Sequence, residues 1–242
     1  MPEDPQGDLT LGSEEQVSSD DSQDLASPQL NENLALSQLK DRSLPAETIE
    51  DISKNSGVKK SRKVRLAIAS HPHTPRRIAL KIIRELYTFD LMQFALKPTV
   101  AADLRRLAEE LLVNRLASIT LGERTSLARR ASELVVGALL LDKESRVWQA
   151  ALENPRVTEV SVVRALQKTG ASPAFVVAVS RHSKWSLRPE VQIALLRNAH
   201  TPLARAIEFA RRIPPAQLRD ILHASRLPEK IKSYLRKEIN DV

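Results

Sequence analysis

Helix-opening residues recur through the second half of this chain at a nearly fixed interval, near positions 158, 173, 188, 202, 215 and 228, every 13 to 15 residues. An interval that short holds a helix of about three turns and a tight connection, and little else. The signals are chemical. A hydroxyl residue followed by proline stands at Thr74-Pro75, Ser172-Pro173 and Thr201-Pro202, where the hydroxyl can cap orphan amides and proline suits the first helical position. Pro45, Pro189, Pro214-Pro215 and Pro228 are read as further starts. A chain punctuated this way is expected to be a series of short helices.

The same residues also recur inside these units. Three segments align without gaps: Val64…Ala67…His71…Thr74-Pro75, Val147…Ala150…Asn154…Thr158, and Val191…Ala194…Asn198…Thr201-Pro202. Valine, an alanine three later and an aliphatic at four form the buried stripe of a short helix. Asn or His at plus seven is expected to take the left-handed turn conformation at the helix end, with threonine capping the next helix. Leu34…Asp41-Arg42-Ser43-Leu44-Pro45 and Lys97-Pro98-Thr99-Val100-Ala101 are weaker copies.

Between the copies, Leu104, Leu107, Ala108, Leu111, Leu112 and Leu116 fall on one side of a helix over 101–117, opposite Arg105, Arg106, Glu109 and Glu110. The stretch 122–145 is the least regular, because Gly122 and Gly137 blur its boundaries. No Asn-Gly or Asp-Gly pair occurs, which disfavours β-hairpins. Helices this short need neighbours, so the predicted fold is all-α: a solenoid of short antiparallel helix pairs over 30–242.

Pairs of about 26 to 30 residues place the chain beside known helical repeats. It resembles HEAT-like and bacterial leucine-rich-variant repeats of the armadillo-type superfold: Asp142…Val147 and Val64-Arg65 match parts of the HEAT signature, and Asn154-Pro155 with Thr158 matches the variant repeat's turn. The resemblance implies a surface for gripping a macromolecule and little else, because this fold hosts many functions.

Residues 1–28 differ in kind. They carry eight acids (Glu3, Asp4, Asp8, Glu14, Glu15, Asp20, Asp21, Asp24) and no Lys or Arg. Few apolar residues interrupt them, so residues 1–29 are expected to form a disordered acidic tail. All 37 Lys and Arg and 22 of the 30 acids lie in 29–242, which leaves that part at +15. An acidic tail therefore precedes a basic body, and two roles stand open for it: contact with the body, or solubilisation without contact.

Several chemistries are disfavoured. The chain has no cysteine, which removes disulfides, thiolate metal sites and cysteine nucleophiles. The longest apolar run, 134–141, is too short to span a membrane, and the first residues lack a secretion signal's basic and apolar regions. A cytoplasmic protein that does not bind membranes is expected. His71 and His73 flank a proline, His71 fills the repeat's Asn slot, and His182, His200 and His223 stand apart, so no metal site or cofactor is predicted. No Gly-x-Ser-x-Gly or phosphate loop occurs, and no enzyme activity is expected. DNA glycosylases built on HEAT-like repeats are the exception to weigh. Trp148, Trp185, Tyr87 and Asp142 are the residues such an enzyme would use, but the repeat pattern gives both tryptophans packing or capping roles.

The basic residues carry the functional signal. Lys59, Lys60, Arg62, Lys63 and Arg65 lead into a helix, Arg77, Lys81 and Arg84 share a helical face, and Arg181, Lys184 and Arg188 continue the theme. Stacking can align them into a surface for an acidic partner. The expected function is a non-catalytic scaffold or adaptor that binds a macromolecule, a protein before a nucleic acid, because aromatics for base stacking make up only 3% of the chain.

Overall fold

A computed structural model describes residues 30–240, with side chains through Lys237. The expected disordered acidic tail lies outside the described residues. Among these there are fifteen helices and no strand: α1 (Glu32–Gln38), α2 (Ala46–Lys54), α3 (Arg62–Ser70), α4 (Arg76–Glu85), α5 (Thr88–Ala95), α6 (Ala102–Arg115), α7 (Leu121–Arg130), α8 (Glu133–Leu139), α9 (Ser145–Leu152), α10 (Glu159–Gln167), α11 (Pro173–Arg181), α12 (Pro189–Leu196), α13 (Leu203–Ala210), α14 (Pro215–His223) and α15 (Glu229–Asn240). The last six begin within one residue of the starts read from the sequence.

Each helix packs mainly on the next and the next but one. Alternating directions therefore sort the helices into two layers. In one, α4, α6, α8, α10, α12 and α14 pack in sequence; the other holds the odd-numbered helices. The chain is an all-α solenoid. No described helix is long and apolar enough to cross a membrane. A continuous buried cluster runs from Ala35 to Leu235, with Val64, Val147 and Val191 fully buried at the head of each repeat copy. Helices of 7 to 14 residues are marginal by themselves, so this shared core is what holds them.

The polar residue at plus seven does something other than turn the chain. His71 is the C-cap of α3, with extended backbone (φ −77, ψ 136), not a left-handed one. Its ring bridges two repeats: Nε2 hydrogen-bonds the Asp41 carbonyl (2.8 Å) while Nδ1 accepts from the His73 amide (3.2 Å). Asn154 and Asn198 repeat the arrangement. Asn154 donates to the Ala128 carbonyl and accepts from the Arg156 amide, both at 2.8 Å. Asn198 donates to the Leu166 carbonyl (2.8 Å) and accepts from the His200 amide (3.0 Å). All three side chains are buried. Asn154 and Asn198 each give a helix-end carbonyl of an earlier repeat a partner, while His71 adds a second donor to the Asp41 carbonyl, which already accepts from the Leu44 amide (3.3 Å).

The threonines also depart from expectation. Thr74 and Thr201 do not cap; Pro75 and Pro202 hold the N-cap positions of α4 and α13. The threonine hydroxyls point backward and donate to the carbonyls of Ile68 (2.5 Å) and Leu195 (2.6 Å) in the preceding helices. Thr158, one position later in the alignment, does cap, accepting from the Ser161 amide (3.2 Å). Pro75, Thr158 and Pro202 thus occupy one structural column. Ser172 caps α11 as expected, with Pro173 first in the helix. The irregular 122–145 stretch contains α7 and α8, and Thr120 opens α7 with a full capping box through Glu123.

Candidate functional site: a basic cleft near the first repeats

The even layer parts between α2 and α4. These two helices flank α3, which forms the floor, and an ion pair of Arg77 with Glu50 crosses the gap. The result is an open cleft of about 700 Å³. Glu50, Ser53 and Lys54 line it from α2, Lys59 and Lys60 from the α2–α3 connection, Arg65 and Ile68 from α3, and Arg77, Ile78, Lys81, Ile82 and Glu85 from α4, with Tyr87 at the edge. Three isoleucines one turn apart or on adjoining helices give an apolar base. Six cations and two carboxylates form its walls.

The two carboxylates are already engaged. Glu50 bonds Lys54 (2.9 Å) and Arg77, and those bonds, Lys54 first, hold its carboxyl below the usual carboxylate range. Glu85 pairs with Arg65. Lys59, Lys60 and Lys81 have no ion pair or side-chain hydrogen bond with any described residue. The cleft therefore presents three uncompensated ammonium groups above an aliphatic floor.

Five of the residues singled out in the sequence meet here: Lys59, Lys60, Arg65, Arg77 and Lys81. The others do not line this cleft. Arg62 forms a two-pronged bond with buried Asp90 (3.0 and 3.1 Å) and lies 4.8 Å from the Tyr87 ring centroid, and the Asp90 bond raises its already high pKa. Lys63 pairs with Glu32 at 3.4 Å. Arg84 is exposed outside the cleft, and its carbonyl receives the Arg115 guanidinium (2.7 Å). Arg181, Lys184 and Arg188 surround the α11–α12 turn, where Lys184 covers the Trp185 ring at 4.1 Å. Lys54 was not singled out, although it lies four residues from Glu50 and shares its face.

Trp148 is buried edge-on against Phe175, with centroids 5.7 Å apart. Trp185 is 2% exposed and donates its indole N–H to the Leu152 carbonyl (3.0 Å). Neither ring offers a face for a base. Asp142 accepts from the Glu144 amide and meets Arg124 at 2.8 Å. Tyr87 is exposed, under Arg62. Among the described residues no three His, Asp or Glu side chains gather closely enough to hold a metal ion.

No protein-family profile, curated protein or solved structure matches the chain.

Proposed function

We propose that this chain is a non-catalytic scaffold of the HEAT-like kind whose α2–α4 cleft holds an acidic segment of a protein partner. The observation that carries the reading is the pairing of uncompensated Lys59, Lys60 and Lys81 with the isoleucine floor. A phosphate backbone would use the ammonium groups and leave the aliphatic base unused, whereas a peptide with alternating carboxylates and apolar side chains uses both. Burial of both tryptophans weakens the nucleic-acid alternative, because single-strand recognition leans on exposed aromatic faces. Several modest charge contacts of this kind add more to association rate and selectivity than to affinity, and they are screened by salt.

Fluorescence anisotropy tests this with three labelled probes: an oligopeptide of alternating glutamate and leucine, a DNA duplex and a DNA single strand. The peptide is expected to bind, and the K59E/K60E/K81E variant to lose at least tenfold in affinity. Tighter binding of either DNA probe, with a steep salt slope, would replace this reading with the nucleic-acid one.

A further inference from the structure

Leu30, the first described residue, lies beside the cleft. The Leu30 carbonyl approaches Gly57 so closely that a Cβ placed there would sit 3.1 Å from it. Glu32 fixes the same juncture from the start of α1, accepting from the Ser61 hydroxyl (2.9 Å) and pairing with Lys63. Gly57 is only two and three residues from Lys59 and Lys60, a Cα path of at most about 11 Å to the farther one. The point from which the preceding residues extend therefore lies at the rim of the site, on the side of Lys59 and Lys60 and across the cleft from Lys81.

Those preceding residues have the composition the cleft calls for. Asp20, Asp21 and Asp24 are the last acids before Leu30, with Leu25 next to them, and no Lys or Arg occurs in 1–28 to oppose them. Asp24 lies six positions before Leu30, a span of at most about 21 Å, enough to reach across the rim. Nothing comparable is tied so close to the Arg181, Lys184 and Arg188 cluster, which lies some 150 residues further along the chain.

We infer that the chain's own acidic segment, centred on Asp20, Asp21 and Asp24, docks on Lys59, Lys60 and Lys81 and acts as a tethered competitor for the α2–α4 cleft. This rests on the same cleft as the proposed function and adds its regulation. A segment tethered a few residues from its site faces it at an effective concentration on the order of millimolar, so individually weak carboxylate–ammonium contacts suffice to occupy it. An external partner must then displace the segment. If the segment fills the cleft nine-tenths of the time, apparent partner affinity falls about tenfold. The contact is electrostatic and partly exposed, so it weakens as salt shortens the Debye length.

The absence of cysteine makes a direct measurement simple, because one introduced thiol is unique. A nitroxide on Ser22→Cys in the full chain should broaden the backbone amides around Lys59, Lys60, Arg77 and Lys81 at low salt. K59A/K60A/K81A should abolish that broadening, whereas R181A/K184A/R188A should not. No broadening, or broadening unchanged by the first triple variant, overturns the inference. A second measurement reads competition: neutralising Asp20, Asp21 and Asp24 to asparagine should raise affinity for the labelled glutamate–leucine peptide about tenfold at low salt, with the gap closing at high salt. Unchanged affinity overturns the competitor role. Broadening at the cleft without peptide binding to the neutralised chain would remove the partner reading and leave the internal contact; peptide binding without broadening would do the reverse.

Discussion

Asn198 lies one residue past the C-cap of α12 with both ends of its amide in use, and the same economy recurs at Asn154 and, in imidazole form, at His71. Two side chains that the aligned copies do not contain follow the pattern. Ser225 donates to the Leu196 carbonyl (2.6 Å) and accepts from the Leu227 amide (3.0 Å). His182 accepts from the Lys184 amide and bonds Glu153. Spacing exposed the recurrence at 71, 154 and 198. It did not reveal the function, because the partner carbonyl lies 26 to 32 residues back in the chain. Removing a buried bridging amide leaves a carbonyl and an N–H unsatisfied, at about 1–3 kcal/mol. Asn198→Ala is therefore expected to lower the urea midpoint clearly, and Asn198→His to recover part of the loss, since His71 makes the same two bonds. An Asn198→Ala midpoint equal to that of the native chain would show that the bridge contributes nothing. Glu50 supplies a pH test. Its lowered carboxyl pKa means its contribution is present above the ordinary carboxylate range and is lost as pH falls through its folded value. Glu50→Gln should flatten the fall in stability as pH drops below the ordinary glutamate value of about 4.3, and, by releasing Lys54 and Arg77, tighten binding of the acidic peptide.

The helices divide by how they are started. Ser61, Thr120, Thr158 and Ser172 cap through their hydroxyls, whereas Pro45, Pro75, Pro202 and Pro214 stand at N-cap positions with no side-chain bond to give. In two of the proline-led units the threonine just before turns back to the previous helix instead, so the same Thr-Pro pair ties two elements together. A hydroxyl followed by proline signals a boundary in either case. Which backbone group the hydroxyl meets depends on the path of the preceding helix, and local sequence does not specify that. The α7 start is the fullest cap. Thr120→Ala removes the bond to the Glu123 amide and leaves Glu123 with only its bond to the Thr120 backbone, so a loss of about 1 kcal/mol is expected by chemical denaturation. Thr201→Val keeps shape but loses the bond to Leu195. A comparable loss there would show that the backward-pointing hydroxyl matters as much as a true cap.

At the scale of the molecule, every helix depends on neighbours one and two places away, so cohesion is local and additive along the stack. Interior helices are held from both sides and end helices from one. Hydrogen exchange should accordingly be slowest in α8 to α10 and fastest in α1 and α15; uniform protection along the chain would contradict a nearest-neighbour stack. The opening between α2 and α4 belongs to this scale as well. Helical periodicity, the proline and hydroxyl punctuation and the missing turn pairs determined that the chain is all-helical, where its helices begin and which stripes are buried, because those properties depend on residues within a few turns of one another. Charge counting likewise determined that residues beyond 28 carry an excess of cations. Only the tertiary structure decided which cations face a common space. Arg62 and Lys63 stand beside Lys60 in the sequence, yet they are taken up by Asp90 and Glu32, residues 28 and 31 positions away, while Lys81 joins Lys59 across a gap between helices. A side chain's partner is set by how the layers stack, and stacking is a long-range outcome of burying all the stripes at once.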